Sequence, residues 1–98
     1  MKHIVFKRHN IDWIATCWLE SNGVCDVTIE KKRVNKKWYQ SRYEYFVDFL
    51  CVPESIKELE ETIYKMLDKK FFDVQKEMNF RKAYYDLEDV TSFESTSN

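Results

Sequence analysis

Residues 11–33 read IDWIATCWLE, then SNG, then VCDVTIEKKR, so that three turn-forming residues separate two β-prone runs. Threonine, valine, isoleucine and tryptophan are favoured in strands. Asn22 and Gly23 tolerate the positive φ angles that tight connections between strands need. This stretch therefore predicts a β-hairpin with its turn at Ser21, Asn22 and Gly23.

The polarity of the side chains decides between two registers of this hairpin, because a slip of one residue sends every side chain to the opposite face. A loop of Asn22 and Gly23 alone mixes polar and apolar residues on both faces. A three-residue loop, with Gly23 in the left-handed position of a bulge, instead collects one apolar face. We therefore expect the pairs Leu19 with Cys25, Cys17 with Val27, and Ala15 with Ile29.

Two further segments extend the sheet outward from the hairpin. Residues 3–7 alternate around Ile4 and Phe6 and predict a short first strand. Residues 38–52 alternate over a longer distance and predict the last strand. At about 3.3 Å per residue this run would span roughly 50 Å, so a bend or bulge is expected, near residues 42–44. One face of the run is expected to hold Tyr39, Tyr43, Tyr45, Val47, Phe49 and Cys51.

The second half of the chain predicts helix. Pro53 ends the last strand, and Ser55 with Glu58 three residues later matches a capping box. Apolar residues then recur at helical spacing. An unbroken helix over residues 55–87 would be about 50 Å long and would overhang the sheet, so a break near residues 68–72 is expected. The alternative is a projecting arm that pairs with a second copy.

These elements define an α+β fold. We expect an antiparallel sheet of about four strands in the N-terminal half, packed on one face by one long or two shorter C-terminal helices. Residues 1–89 form a single domain, because a chain of 98 residues cannot supply two independent cores. Residues 90–98, rich in serine and threonine, are expected to be a loose tail.

Composition indicates a protein of the reducing cytoplasm. The three cysteines, Cys17, Cys25 and Cys51, are odd in number, lack CxxC spacing and fall among apolar residues, a pattern typical of buried free thiols. The N-terminal residues lack the apolar run of a secretory signal. Charged residues interrupt every apolar stretch, so no membrane association is expected.

The sequence contains no pattern typical of an enzyme. The cysteines and the histidines, His3 and His9, show no paired spacing for zinc, and nothing indicates a base beside a nucleophilic thiol. A chain with a single glycine has no glycine-rich phosphate loop. The acidic residues near the start of the helix are expected on its solvated face. We therefore expect no catalytic residue, no metal site and no cofactor.

The segment with most functional content is a basic aromatic loop, residues 31–42. Positive charge is uneven along the chain, since residues 1–46 hold nine Lys/Arg against five Asp/Glu while residues 47–98 hold seven against twelve. Cations interleaved with aromatic rings can neutralise phosphates and stack on bases, or can dock on an acidic protein. The residues expected to bind are Lys31, Lys32, Arg33, Lys36, Lys37, Trp38, Tyr39 and Arg42.

A second candidate surface is the face of the sheet opposite the apolar one, where the preferred register puts Ile14 and Trp18 and puts Trp13 in the core. Either another element covers this open face or it contacts a partner. Small domains without catalytic motifs are often inhibitors or adaptors, including those carried by phages and mobile elements. The first expectation is therefore an interaction protein, a monomer or small homo-oligomer, that binds and modulates a protein partner. The alternative is direct binding of nucleic acid through the basic aromatic loop.

Overall fold

The computed structural model describes residues 1–93 and has the expected α+β architecture. Four antiparallel strands lie in the order in which they follow along the chain, each hydrogen-bonded to the next, and one helix follows them. The elements are β1 (Lys2–Arg8), β2 (Ile11–Leu19), β3 (Cys25–Lys32), β4 (Tyr43–Cys51) and α1 (Ile56–Tyr85).

The register predicted for the central hairpin is confirmed. Leu19 pairs with Cys25, Cys17 with Val27 and Ala15 with Ile29. Gly23 has a φ of +87°, the left-handed conformation that the three-residue loop requires. The Val24 backbone N–H donates to the Asn22 side-chain oxygen at 3.1 Å, so the turn also holds itself together locally.

The core lies between this apolar face and α1. Nine residues are fully buried, all of them apolar, and the largest is Trp13, which the register had placed there. The helix contributes residues spaced four apart along one stripe, which is the spacing that brings side chains to one face. The buried set is Trp13, Ala15, Cys17, Cys25, Val27, Ile29, Leu59, Ile63 and Leu67.

The last strand differs from its prediction in two respects. It begins at Tyr43 rather than Trp38, and the irregularity in its pairing lies at Phe46, between the pairs Val47 with Ile29 and Tyr45 with Glu30. A bulge inserts one residue and reverses the alternation beyond it. Val47, Phe49 and Cys51 therefore face the core, but Tyr43 and Tyr45 lie on the opposite face, so the expectation of one shared face is wrong.

Phe46, the extra residue of the bulge, turns its ring toward the core. It meets the Trp13 ring edge to face, with the ring centroids 4.8 Å apart. Phe46 thereby packs against the buried core.

The helix is unbroken, so the expected break near residues 68–72 is wrong, and α1 continues past the sheet as a projecting arm. Thirty residues at 1.5 Å each make a helix of about 45 Å. Residues 68–72 contain neither glycine nor proline, and a helix without such residues carries its own hydrogen bonds past the end of the sheet. The radius of gyration is accordingly 19.0 Å, compared with about 13 Å for a compact chain of this length.

The helix start follows the sequence closely. Ser55 is the N-cap residue, and its side chain accepts a hydrogen bond from the Glu58 backbone N–H at 3.1 Å. The Glu58 carboxylate in turn accepts from the Glu54 backbone N–H at 2.9 Å. Within residues 1–93 no helix combines the length and hydropathy needed to cross a membrane.

Residues 86–93 follow the helix without forming helix or strand, and Val90 and Phe93 are exposed. Residues 94–98, the remainder of the predicted tail, lie outside the described part of the chain.

A polar clamp joins the middle of α1 to the turn between β1 and β2. The Arg8 guanidinium donates two hydrogen bonds to the Asp68 carboxylate, both 2.7 Å long, and the His9 Nε2 lies 2.8 Å from the same carboxylate. The His9 ring stacks on Phe71 with centroids 4.2 Å apart, and the Arg8 guanidinium lies 4.4 Å from the Tyr64 ring centroid. His9 and Asn10 form the turn with positive φ angles. The clamp fixes where the packed half of the helix ends.

Replacing Asp68 by Asn is expected to destabilise the protein in a pH-dependent way. The hydrogen bonds from Arg8, and then from His9, lower the pKa of Asp68 to about 2. The ionised Asp68 carboxylate therefore stabilises the fold, and this contribution is fully present above the pKa of an unfolded aspartate, about 3.9. The contribution is lost as the pH falls through the pKa of the folded protein, about 2. At neutral pH we expect D68N to lower the free energy of unfolding by roughly 1.5 kcal/mol.

Urea denaturation of the wild type and D68N across this acidic range measures the effect. D73N, which changes an exposed carboxylate one turn further along the helix, is the matched control and should change little. A difference between wild type and D68N that is as large below pH ~2 as at neutral pH would contradict the clamp's ionic origin.

Candidate functional site

The basic aromatic loop, residues 31–42, connects β3 to β4 as a hydrogen-bonded structure. The Arg33 backbone N–H donates to the Arg42 carbonyl at 2.9 Å and closes its base. Near the tip, the Gln40 N–H donates to the Lys37 carbonyl, and the Gln40 side-chain oxygen accepts from the Lys37 N–H, both at 3.0 Å. The loop therefore presents its side chains from a defined backbone.

Two of the predicted binding cations share one carboxylate within the chain. Arg33 Nη1 lies 3.0 Å from one Glu44 carboxylate oxygen, and Lys31 Nζ lies 4.0 Å from the other. Lys31 sits on the core face of β3, opposite Trp13 on β2, so it points away from the open face. Lys31 and Arg33 therefore contact Glu44 at the base of the loop, and their role in binding a partner stays a prediction.

The other four cations, Lys32, Lys36, Lys37 and Arg42, are exposed, and the ion pairs found among residues 1–93 include none of them. Lys36 Nζ donates to the Lys37 and Gln40 carbonyls at 3.3 and 3.2 Å, which holds its charge at the loop tip. A group of cations that form no ion pair with the chain can attract an external anion.

The loop tip also holds two exposed aromatic rings. Trp38 is 90% exposed, the most exposed large hydrophobic residue among residues 1–93, and Tyr39 lies beside it with ring centroids 5.7 Å apart. The Lys37 ammonium lies 5.9 Å from the Tyr39 ring centroid. A hydrocarbon surface of this size kept in water favours insertion into a pocket or stacking on a planar group of a partner.

The open sheet face lies on the side of the sheet away from α1. Ile14 is half-buried among its neighbours, and Trp18 is 52% exposed. No element of residues 1–93 packs over this face, so the alternative in which the fold itself covers it is not observed there. Lys32 and Tyr43 pair at its upper end, where the basic aromatic loop begins. The two surfaces are thus continuous.

Three further residues of the open face were missed from the sequence: Val5, Tyr45 and Leu50, all exposed. Val5 pairs with Ile14 across β1 and β2. This register follows from the two-residue turn at His9 and Asn10, which the sequence analysis did not identify. Tyr45 reaches this face only because of the bulge at Phe46, for which the sequence offers no local signal.

Carboxylates give the open sheet face a different charge from the loop. Asp26, Glu30 and Asp48 lie on it, between the apolar side chains. The Tyr45 hydroxyl donates a hydrogen bond to the Asp48 carboxylate, which raises the pKa of Tyr45. The combined surface has a cationic end and an acidic, partly apolar middle.

An apolar groove of about 820 Å³ runs between the start of α1 and the ends of β1 and β2. Its apolar walls include Ile4, Leu19 and Ile56. Leu19 was expected beneath the helices with Cys17, but only Cys17 is buried, because α1 begins too far along the sheet to cover Leu19.

The three cysteines are free thiols at the end of the core nearest this groove. Burial raises the pKa of Cys17 to about 11 and also raises the pKa of Cys51. Both groups are therefore protonated at neutral pH, whereas a nucleophilic cysteine needs a lowered pKa. Among residues 1–93 no three His, Cys, Asp or Glu side chains are placed to hold a metal ion.

Comparisons with family models, with curated proteins and with solved structures find no match to this chain.

Alkylation measures the state of the buried thiols. Since the pKa of Cys17 rises from 9.0 to about 11, its thiolate fraction at neutral pH falls roughly a hundredfold. We expect iodoacetamide to label Cys17 at least that much more slowly in the native protein than in urea, with the half-buried Cys51 reacting first. Peptide mass spectrometry resolves the three sites, and equal rates for native and unfolded Cys17 would be the contrary result.

Proposed function

We propose that this protein is a non-catalytic binding protein, an inhibitor or adaptor, that docks on a protein partner through the basic aromatic loop and the adjoining open sheet face. The observation that carries the proposal is the loop tip, where Trp38 is almost fully in water beside Lys36 and Lys37, which form no ion pair within residues 1–93. Tryptophan and arginine are the residues that most often dominate binding energy in protein interfaces.

The open sheet face supports a partner larger than a small molecule. Trp18, Tyr45 and Leu50 are each more than half exposed and are distributed across a flat surface rather than around a cavity. Scattered apolar anchors with polar groups between them are the usual composition of a protein interface. Such a partner would present acidic groups to the loop and basic or apolar groups to Asp26, Glu30 and Asp48.

Direct binding of nucleic acid through the same loop is the second candidate, because exposed rings beside cations stack on bases and neutralise phosphates. Four exposed cations favour nucleic-acid binding: Lys32, Lys36, Lys37 and Arg42. The carboxylates of the open sheet face count against it, since a polyanion lying across both surfaces would be repelled. The net charge of −1 over the whole chain also favours a protein partner.

The three free thiols fit a cytoplasmic protein, because the reducing poise of that compartment keeps cysteines unpaired. The cytoplasm is therefore where we propose that the partner is met.

Affinity capture with a matched pair of variants tests the proposed function. The loop variant replaces Lys36, Lys37 and Arg42 by alanine, and the control replaces Lys2, Lys57 and Lys65, which are equally exposed and remove the same charge elsewhere. We expect one or more proteins to bind the wild type and the control, and to bind the loop variant and Trp38→Ala at least about tenfold more weakly. A partner retained equally by all four proteins would exclude the loop.

Titration of labelled single- and double-stranded oligonucleotides separates the two candidates. For a protein-binding protein we expect no binding that depends steeply on salt. Binding by the four free cations would instead give a slope of log affinity against log salt of roughly −2 to −4. That slope, together with loss of binding in Trp38→Ala, would replace the proposed function by the second candidate.

A further inference from the structure

The three thiols gather at one end of the sheet, where β3 begins at Cys25 and β4 ends at Cys51. Cys17 and Cys25 are buried in the core, and the half-buried Cys51 packs against the same core. Burial, and then the nearby Cys25 thiol, raises the pKa of Cys17 and of Cys51. Cys25 is therefore the central thiol of the three.

Cys25 and Cys51 lie directly opposite each other on neighbouring antiparallel strands. Directly opposite residues have Cα atoms about 4.5 or about 5.5 Å apart, according to whether they share hydrogen bonds, and their side chains point to the same face. A disulfide needs Cα atoms roughly 4.4–6.8 Å apart. Both kinds of pair fall within this range, so the register allows a bond between these two sulfurs.

The register is less favourable for the other two pairings of the thiols. Cys25 lies opposite Leu19, so Cys17 is its diagonal neighbour, and diagonal Cα atoms are about 7–8 Å apart. Cys17 and Cys51 are separated by the whole of β3, which is roughly 9–10 Å at the usual spacing of strands. Distances above about 7 Å cannot be bridged without moving the backbone. Cys51 is thus the partner that fits Cys25.

The position of the pair also suits a reaction with a reagent from solution. It is the last pair of the β3–β4 ladder, so a small adjustment of the backbone disturbs no pair beyond it. Cys51 is the most exposed of the three thiols, and Cys25 lines the apolar groove beside the start of α1. A small oxidant can therefore reach Cys51 first.

We propose that Cys25 and Cys51 are a disulfide-forming pair, which closes in the folded protein when the surrounding glutathione becomes oxidised. The Cys51 thiolate attacks one sulfur of glutathione disulfide, forms a mixed disulfide and releases one glutathione. The Cys25 thiolate then attacks the Cys51 sulfur and releases the second glutathione. Two protein thiols are oxidised, one glutathione disulfide is reduced to two glutathione molecules, and these carry the two thiol protons.

The disulfide would enclose the segment that carries the basic aromatic loop. Residues 26–50 lie between the two cysteines, and the loop, residues 31–42, is within them. Joining two residues that are already paired leaves the folded backbone in place but restricts the unfolded chain. The oxidised protein should therefore resist unfolding more than the reduced protein, with the loop presented as before.

Equilibration of the folded full chain with defined mixtures of glutathione and glutathione disulfide measures the reaction. We expect the free thiols to fall from three to one, with Cys17 remaining free. Acid quenching, alkylation and peptide mass spectrometry identify the bond, since cleavage after Glu20 separates Cys17 from Cys25. The raised pKa of Cys51 slows the exchange, so equilibrium is approached from both the reduced and the oxidised side.

The comparison with unfolded protein tests whether the fold brings the pair together. We expect the equilibrium constant for the Cys25–Cys51 disulfide to be at least about tenfold larger in the folded chain than in concentrated urea. The urea midpoint of the oxidised protein should be higher by a corresponding amount. An equilibrium constant that is no larger in the folded chain would overturn the proposal.

Single serine variants give the matched controls, with circular dichroism to check that each is folded. C17S keeps the proposed pair and should form the disulfide as the wild type does. C51S should keep both remaining thiols free at the same glutathione ratio, and so should C25S. A bond joining Cys17 to Cys25 in the wild type, or a C17S variant that stays reduced, would contradict the assignment of the pair.

Discussion

The packing of one helix against one face of the sheet is the interaction on which the rest of the structure depends. Leu59, Ile63 and Leu67 meet the inward side chains of β2 and β3, and all nine fully buried residues belong to this contact. A helix is only about 10–12 Å across, so it covers a strip of one face. The opposite face of the sheet therefore remains in water, and the far half of the helix does so because it runs past the end of the sheet.

The clamp between Asp68 and the turn at Arg8 and His9 divides α1 into a packed half and a free half. In the half of α1 before the clamp, burial of apolar side chains offsets the entropy lost when the chain is ordered. In the half after the clamp, the helix continues because its backbone hydrogen bonds are internal and no residue interrupts them. An exposed helix of this kind is marginal by itself.

Antiparallel order places the basic aromatic loop and the exposed second half of α1 at the same end of the sheet, since β1 and β3 run toward that end and α1 starts from the other. The cations of the loop and the uncovered apolar side chains of the helix therefore lie at one end of the molecule.

The sequence by itself determined the elements whose causes are local. The turn at Asn22 and Gly23, the polarity of the two faces of the hairpin, the burial of Trp13 and the Ser55 cap all depend on residues close in the chain, and each was read correctly. Only the tertiary structure decided what depends on distant residues: the bulge at Phe46, which set Tyr45 on the open face, the contacts of Lys31 and Arg33 with Glu44, and the meeting of Arg8 with Asp68 sixty positions away. The extent to which α1 is covered was also decided by the tertiary structure. The size of the sheet, rather than the residues of the helix, sets the point at which its cover ends.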